Sequence, residues 1–360
     1  MTSAVAIVAQ ARPFVIGVDT HARNHTYAIL SAVTGELIAA KEFPTSPAGL
    51  KRALVWVARC TGGDLATLWV IECVATYGAR LAHVVADTGY DVAEAARMDA
   101  RTHRSVGKSD PLDAHRIAAA VLPLDDDQLR RPRADDGARA ALRVLTTARE
   151  HMSTERTACV NALTALLRAT DLGFDARKPL TNKQITEVAA WRTRTEDLAL
   201  SVARAEAVRL AKRIGVLDHE LADNQAQLRS LIEQSKAAPL LDKIGIGPVT
   251  AATVYAAWSH PGRVRTEAAF AALAGVSAIP ASSGNTTRHR LNRGGDRKLN
   301  RALHMATVTR MAHDPETRAY VEKRRAEGRT PKEIRRCLKR YIARQIYRTL
   351  ETLHAEPAPA

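Results

Sequence analysis

The first 125 residues combine short apolar runs with segments of helical periodicity. Apolar runs of strand length occupy residues 14–19, 25–32 and 36–43, and Thr34-Gly35 marks a hairpin turn between the last two. The elements predicted after them are a helix over 47–60, a strand over 66–72, a helix over 76–88 and a short strand over 90–95. Three successive strands followed by alternating helices and strands predict a mixed α/β domain.

Acidic residues stand where two of these strands end. Asp19 closes the first apolar run, and Glu72 closes the run Leu68-Trp69-Val70-Ile71. Asp110 and Asp113 open a predicted helix, and their i,i+3 spacing turns both toward one side. Carboxylates beside a core are costly unless they are paired or bound to a metal, so four that converge predict an oxygen-rich site for Mg²⁺ or Mn²⁺. Two such ions would suit phosphodiester chemistry.

Each acid also has a purely structural interpretation. Asp110 followed by Pro111 fits an N-cap with proline at N1, and Asp113 would then sit at N3, where a carboxylate favours the helix dipole. Asp19 could be a turn residue, and Glu72 could be an exposed strand end. The repeated placement of an acid at two strand ends favours the metal site.

The rest of the chain is predicted to be helical. The polar stretch that starts at Asp125 and runs to about Gly137 indicates a domain boundary. Two apolar stripes of helical spacing follow, with a loop over 171–182 between them, and they predict an antiparallel hairpin or coiled coil that serves as a spacer or oligomerisation arm. The predicted domains are residues 1–125, 138–236 and 238–354.

The charge of the chain indicates a polyanionic partner. The 360 residues carry a net charge of +15, with a pI of about 10.0. Residues 286–349 hold 19 Lys/Arg against 6 Asp/Glu, a net of +13 in less than a fifth of the chain. Aromatic residues make up only 4%, which argues against stacked bases as the main mode of binding. We therefore expect this region to contact nucleic-acid backbones.

Cysteine usage and hydropathy point to the cell interior. The four cysteines are too scattered for a zinc motif and need no disulfides. No run of 18 uncharged apolar residues occurs, and the N-terminus lacks a secretory pattern. We expect a soluble, cytoplasmic protein that does not enter a membrane.

Two segments of the C-terminal third are predicted to contact phosphates. Gly245 and Gly247 lie between predicted helices in a pattern similar to a helix–hairpin–helix element, whose backbone N–H groups can hold a phosphate. Glycines that merely allow a tight turn are the alternative. The last helix begins at the capping box Thr330-Pro331-Lys332-Glu333 and has an apolar side that includes Tyr341. Its basic residues are predicted to face outward, namely Arg335, Arg336, Lys339, Arg340 and Arg344.

A serine loop precedes this helix. Ser282-Ser283-Gly284 lies in a Pro/Ser/Gly-rich stretch. It is flanked by four arginines, Arg288, Arg290, Arg293 and Arg297. A flexible serine beside guanidinium groups could attack phosphorus, because arginines stabilise the charge that develops. A loop serine without chemistry is the alternative, and the residues alone do not choose between Ser282 and Ser283.

These motifs together resemble the DEDD-type transposases of insertion-sequence family 110, relatives of the Piv/MooV DNA invertases. The resemblance covers nearly the full length. It is carried by the four acids, the Gly-x-Gly-Pro hairpin, the Ser-Gly pair and the segment Gly-Gly-Asp-Arg-x-Leu-x-Arg-Ala-Leu. It implies a RuvC-like (ribonuclease H-like) N-terminal domain, a helical middle and a C-terminal transposase domain.

The resemblance also implies roles and partners. Asp19, Glu72, Asp110 and Asp113 match the metal site of the family, and Ser283, directly before Gly284, matches its serine nucleophile. Better-studied members use a bridge RNA that pairs with donor and target DNA, and they act as homo-oligomers up to tetramers. The expected function is a recombinase that cuts and rejoins DNA through a phosphoserine. A metal-only RuvC-like nuclease, such as a junction resolvase, and a non-catalytic DNA-binding protein are the alternatives.

Overall fold

The chain divides into two compact units, Met1–Arg133 and Ala134–Ala360. The computed structural model describes residues 6–95, 109–133, 137–280, 289–290, 292 and 294–355. Each unit is described by itself below.

A five-stranded sheet forms the centre of the first unit. Its strands are β1 (Phe14–Thr20), β2 (Asn24–Ser31), β3 (Leu37–Pro44), β4 (Leu68–Ile71) and β5 (Asp91–Glu94). They lie in the order β3-β2-β1-β4-β5, with β1 to β3 antiparallel and β1, β4 and β5 parallel. The predicted mixed α/β sheet is confirmed, and every strand begins and ends within two residues of its predicted position.

Helices cover both faces of this sheet. They are α1 (Val8–Ala11), α2 (Pro47–Thr61), α3 (Ala79–Asp87) and α4 (Asp110–Ala119). Because side chains alternate along a strand, β1 sends Val15 toward α4 and its neighbour Ile16 toward α2 and α3. Both faces are therefore apolar, which explains why β1 reads as a continuous hydrophobic run instead of an alternating one.

Helix α4 packs directly on β1 at Gly17. A Cβ atom at residue 17 would lie 2.0 Å from the carbonyl oxygen of Ala114 and 2.7 Å from the amide nitrogen of Ala118. Only glycine on the strand, opposite alanines on the helix, permits two backbones to approach so closely. This contact fixes the position of α4 along β1.

The second unit begins with a long helical arm. Its helices are α5 (Gly137–Ala169), α6 (Asn182–Ala189) and α7 (Leu198–Glu233). Leu142 of α5 shares a buried cluster with Leu228 of α7, and Leu163 of α5 shares another with Leu210 of α7. The two long helices are therefore antiparallel, and each spans about 50 Å at 1.5 Å per residue.

The arm joins a helical body. The body contains α8 (Pro248–Trp258), α9 (Glu267–Leu273), β6 (Ile279–Pro280), β7 (His289–Arg290), α10 (Arg297–His313), α11 (Pro315–Ala326) and α12 (Pro331–Ala355). Trp258, Phe270 and Ile346 lie at its centre, in the cluster that also holds Leu142 and Leu228. The predicted, mostly helical remainder of the chain is thus confirmed, whereas coiled-coil packing of the arm stays a prediction.

The predicted helix–hairpin–helix element has a short first arm. The segment before the glycines forms a 3₁₀ turn, Ala238–Leu240, and α8 follows the glycines. Gly245 adopts a left-handed conformation with φ of +80°, and the N–H of Ile246 donates to the carbonyl of Lys243 at 3.0 Å, so the chain turns before a full helix can form. A Cβ at Gly245 would lie 2.7 Å from the carbonyl oxygen of Ala306, so packing against α10 leaves no room for a side chain at this position.

Within the described ranges, no helix is both long enough and apolar enough to cross a bilayer. All four cysteines lie among the described residues and are free thiols, as their spacing predicted.

We expect Gly17→Ala to destabilise the first unit by about 3 kcal/mol or more, because α4 must move away from β1 to admit the methyl group. Hydrogen–deuterium exchange of peptides from β1 and α4 measures the effect where it arises. Gly215→Ala is the control, since residue 215 lies in α7 with open space around its Cβ position and should gain about 0.5–1 kcal/mol. Unchanged exchange in β1 of the Gly17 variant would contradict the argument.

Candidate active site

Asp19 is a buried carboxylate near the end of β1. Its exposed fraction is 7%. It follows Gly17 by two residues, so both residues face the side of the sheet that α4 covers. A carboxylate in this position is brought beside the first turn of α4 by the same packing that excludes a side chain at residue 17.

Glu72 reaches the same place from the neighbouring strand. It directly follows β4, and its N–H donates to the carbonyl of Val18 at 3.1 Å, which extends the parallel pairing by one residue. The hydroxyl of Thr20 donates to the carbonyl of Glu72 at 3.1 Å, so both backbone polar groups of Glu72 are bonded to β1. The side chain of Glu72 lies close enough to Asp19 to raise the pKa of that carboxyl.

Asp110 is the first residue of α4 and not its N-cap. Ser109 is the N-cap, and its carbonyl accepts the N–H of Asp113 at 2.9 Å. The interpretation of Asp110 as a capping residue is therefore wrong by one position, and its carboxylate is available for other contacts. One ligand atom each from Asp19, His21 and Asp110 lies within 4.8 Å of the others.

Asp113, the fourth predicted acid, is held apart from the other three by an ion pair. Its carboxylate forms an ion pair with Arg116, one turn further along α4, with an N–O distance of 3.0 Å. Both side chains are only 15% exposed. Asp19, Glu72 and Asp110 therefore gather with their carboxylates toward one another, while Asp113 is held by a cation on its own helix.

His21 is the member of the cluster that the sequence did not single out. Its Nδ1 atom lies 3.8 Å from Oδ1 of Asp19, and its side chain is 54% exposed. In the sequence it stands in a turn after a strand, where histidine is common for many reasons. The available signal was its position two residues after Asp19, the acid near the end of β1.

Burial, together with the neighbouring acids, raises the pKa of Asp19 to about 6. Burial is the main cause, and repulsion from Glu72 and Asp110 adds to it, whereas His21 acts in the opposite direction. A divalent cation would remove this repulsion. The donor set of carboxylates and one imidazole suits such an ion, so these residues fit Mg²⁺ or Mn²⁺.

The predicted nucleophile, Ser283, lies outside the described residues, as do Ser282, Arg288 and Arg293. The described residues before and after this segment are held by strand pairing and close packing. β6 and β7 pair, and a Cβ at Gly295 would lie 2.5 Å from the carbonyl oxygen of Leu273.

Asn300 and Lys339 link the helices that precede and follow the serine segment in the sequence. Asn300 donates from Nδ2 to the carbonyl of Ala274 at 2.7 Å and accepts at Oδ1 from Nζ of Lys339 at 2.6 Å. Burial lowers the pKa of Lys339. The helices α9, α10 and α12 thus hold together the two ends of the segment that carries the serines.

The basic residues predicted to face outward do so only in part. Arg335, Arg336 and Arg344 are half-buried on α12, and Arg344 pairs with the carboxylate of Glu267. Arg290 and Arg297, which were predicted to flank the serine loop, are exposed. Lys339 is half-buried against Asn300, and Arg340 donates to the carbonyl of Glu267 at 3.1 Å and pairs with its carboxylate. For these two residues the predicted outward orientation is wrong, because both side chains hold other elements of the unit.

The apolar side of α12 is smaller than predicted, and the two glycines of the hairpin differ in their surroundings. Tyr341 was predicted on the apolar side of α12, yet it is 52% exposed.

Gly247 is exposed and is the N-cap of α8, with open space at its Cβ position, whereas Gly245 packs against α10. Of the two glycines, Gly247 is the one whose surroundings leave room for a phosphate.

Comparisons with known proteins agree on one class. A family model for the DEDD transposase of IS110, described as a transposase, matches residues 16–171, and a model described as the transposase IS116/IS110/IS902 family matches residues 238–322. Together they cover about two thirds of the chain. The first matched range contains all four predicted acids, and the second contains the serine loop.

Two curated proteins are similar to this chain. The uncharacterized 42 kDa protein of insertion element IS900 from Mycobacterium paratuberculosis is 26% identical over 366 residues, which covers 89% of this chain and 91% of that protein. The uncharacterized 43.6 kDa protein of insertion element IS110 from Streptomyces coelicolor is 30% identical over 123 residues, which covers 34% of this chain and 30% of that protein.

We expect the contribution of Asp19 to the stability of the metal-free protein to be lost as the pH rises from about 4 to above 6. The folded state holds a proton on Asp19 that the unfolded chain releases at lower pH, because the folded pKa is raised from 3.8 to about 6. Asp19→Asn should remove most of this dependence and raise the free energy of unfolding near pH 7 by about 1–3 kcal/mol.

Urea unfolding of the full chain in the presence of a chelator, at a series of pH values, measures this change. Asp87→Asn is the matched control, because Asp87 lies in the same unit with a side chain that is 66% exposed. Its substitution should change stability by less than about 0.5 kcal/mol. A parallel pH profile for Asp19→Asn and the parent protein would contradict the prediction.

Proposed function

We propose that this chain, which belongs to the IS110 family of insertion-sequence transposases, cuts and rejoins DNA with a divalent-metal centre on Asp19, Glu72 and Asp110. A transposase of an insertion sequence acts on DNA, and in general terms it breaks and rejoins strands. The observation that carries the metal centre is a buried carboxylate, Asp19, with two further acids and an imidazole gathered around it.

The residues of the first unit have distinct parts in this proposal. Asp19 provides a rigid, buried oxygen donor, while Glu72 and Asp110 approach it from β4 and α4. Asp113 would join them only after leaving Arg116. A bound Mg²⁺ or Mn²⁺ supplies positive charge that stabilises the oxygens of the phosphate during strand cleavage.

Ser283 is the proposed nucleophile for strand transfer. Its hydroxyl oxygen forms a bond to phosphorus as the bond between phosphorus and the sugar oxygen of the cut strand breaks, and that leaving oxygen takes up a proton. Rejoining reverses the step, because a strand-end hydroxyl attacks the phosphoserine and Ser283 recovers its proton. Its place beside a segment rich in arginine supports the assignment, since guanidinium groups stabilise the developing charge.

Nucleic-acid backbones are the proposed partners of the basic C-terminal region. The charge of residues 286–349 favours phosphate binding, and the exposed Arg290 and Arg297 follow the serine loop in the sequence. We propose that donor and target DNA are bound here together with a structured bridge RNA, which chooses the sites by base pairing. Assembly of the working complex as a homo-oligomer belongs to the same proposal.

A metal-only nuclease is the second candidate function. It is favoured by one observation, namely that Asp19, Glu72 and Asp110 gather on elements of the first unit alone. In that case Ser283 would have no covalent role. The two candidates differ in whether the protein becomes attached to DNA.

Substitution of the acids should abolish recombination. Asp19→Asn and Glu72→Gln remove charge at nearly constant volume, so each should reduce strand exchange by at least about a hundredfold while the fold persists. A plasmid recombination assay in cells measures the activity, and circular dichroism of the purified variants measures folding. Asp87→Asn, an exposed acid of the same unit, should keep full activity. Wild-type recombination by both site variants would rule out the metal centre.

Covalent attachment to DNA tests the serine. Ser283→Ala should eliminate the protein–DNA adduct and leave DNA binding near normal, since it removes a single oxygen. Ser282→Ala is the matched control and should keep the adduct. Denaturing gels detect the adduct, and mass spectrometry of the phosphopeptide identifies the attached residue. An adduct that persists in Ser283→Ala would overturn the assignment, and an adduct absent from the active parent protein would favour the metal-only nuclease.

A further inference from the structure

We infer that His21 is a direct metal ligand of the carboxylate centre, so that the site has a nitrogen donor and prefers Mn²⁺ and later transition ions to Mg²⁺. This inference rests on the proposed function, because it concerns the same bound cation. It adds a residue outside the four acids and assigns the imidazole a role in choosing the metal.

The distances suit ligands of one ion. One donor atom each from Asp19, His21 and Asp110 lies within 4.8 Å of the others, and Nδ1 of His21 is 3.8 Å from Oδ1 of Asp19. Two ligands about 2.1 Å from the same octahedral cation are separated by roughly 3 Å when adjacent and roughly 4.2 Å when opposite. At 3.8 Å the imidazole is too far from Asp19 for a direct hydrogen bond, yet within the range that a shared cation produces.

The turn that carries His21 is held in place on both sides. The N–H of His21 donates to Nδ1 of His25 at 3.3 Å, and His25 is only 1% exposed. Thr45 binds the same turn with two hydrogen bonds, from its N–H to the carbonyl of Arg23 at 2.9 Å and from its hydroxyl to the carbonyl of Ala22 at 3.1 Å. A ligand on a turn so fixed loses little freedom when it binds a cation.

The chemistry of imidazole gives the inference its consequence. Mg²⁺ is a hard cation that takes oxygen ligands, whereas imidazole nitrogen suits transition metals. Three carboxylates alone would form an ordinary Mg²⁺ site. Addition of His21 to Asp19 and Asp110 shifts the balance toward metals that accept nitrogen.

Pulsed electron paramagnetic resonance of Mn²⁺ bound to the full chain provides a test that is independent of activity. A directly coordinated imidazole produces ¹⁴N modulation of the Mn²⁺ spin echo. We expect this modulation in the parent protein and its loss in His21→Asn. His83→Asn is the matched control, because His83 lies on α3 in the same unit and is 68% exposed beside Asp87. Its modulation should equal that of the parent protein.

Metal affinity provides a second measurement. Loss of a residue that only supports a metal ligand costs about 10- to 100-fold in metal affinity. Loss of a direct ligand should cost at least as much, so His21→Asn should weaken Mn²⁺ binding by about tenfold or more. His21→Asp replaces nitrogen by oxygen and should lower the preference for Mn²⁺ over Mg²⁺ in competition titrations. An unchanged preference in His21→Asp would count against the inference.

The outcomes separate the inference from the proposed function. Mn²⁺ that binds without ¹⁴N modulation, or modulation that persists in His21→Asn, overturns the role of His21 and leaves the carboxylate centre intact. Failure of the parent protein to bind Mn²⁺ more tightly than Asp19→Asn removes the metal centre itself, and the inference falls with it.

Discussion

The contact between Gly17 and α4 determines where the acids of the first unit lie. The missing side chain lets the backbone of β1 approach that of α4 so closely that a Cβ at residue 17 would lie 2.0 Å from the carbonyl oxygen of Ala114. Asp19 follows Gly17 by two residues on the same face, and Asp110 precedes Ala114 by one helical turn. A single packing contact therefore brings together two carboxylates that are 91 residues apart in the sequence.

This arrangement costs stability before a cation binds. Asp19 is buried and faces acids from two other elements, so its pKa rises to about 6. Near neutral pH the metal-free protein must keep the carboxylate charged despite burial, and the free energy of unfolding falls as a result. An apolar residue would be more stable at this position, and a cation bound at the proposed metal centre would offset the cost of the carboxylate. The surrounding hydrogen bonds, such as that from Thr20 to Glu72, keep the acids in place despite their repulsion.

The sequence predicted the sheet and the convergence of the acids because both follow from local patterns. Strands β1 and β4 are continuous apolar runs, and an acid that ends each run marks the edge where parallel strands meet. The sequence could not predict contacts that depend on exact placement. Ser109 and not Asp110 is the N-cap of α4, and Asp113 pairs with Arg116. His21 enters the cluster through a turn that is held by Thr45, the residue directly after β3.

Part of the positive charge of residues 286–349 is neutralised by ion pairs within the second unit. Five basic residues of the segment 286–349 pair with two acids that lie outside it in the sequence. Glu150 of the arm pairs with Lys298 and Arg301, and Glu267 of α9 pairs with three arginines of α12, at positions 340, 344 and 348. These pairs hold α10 to the arm and α12 to α9, so part of the segment's positive charge organises the unit itself. The remaining basic residues, among them the exposed Arg290 and Arg297, are therefore the ones on which the proposed phosphate binding depends most.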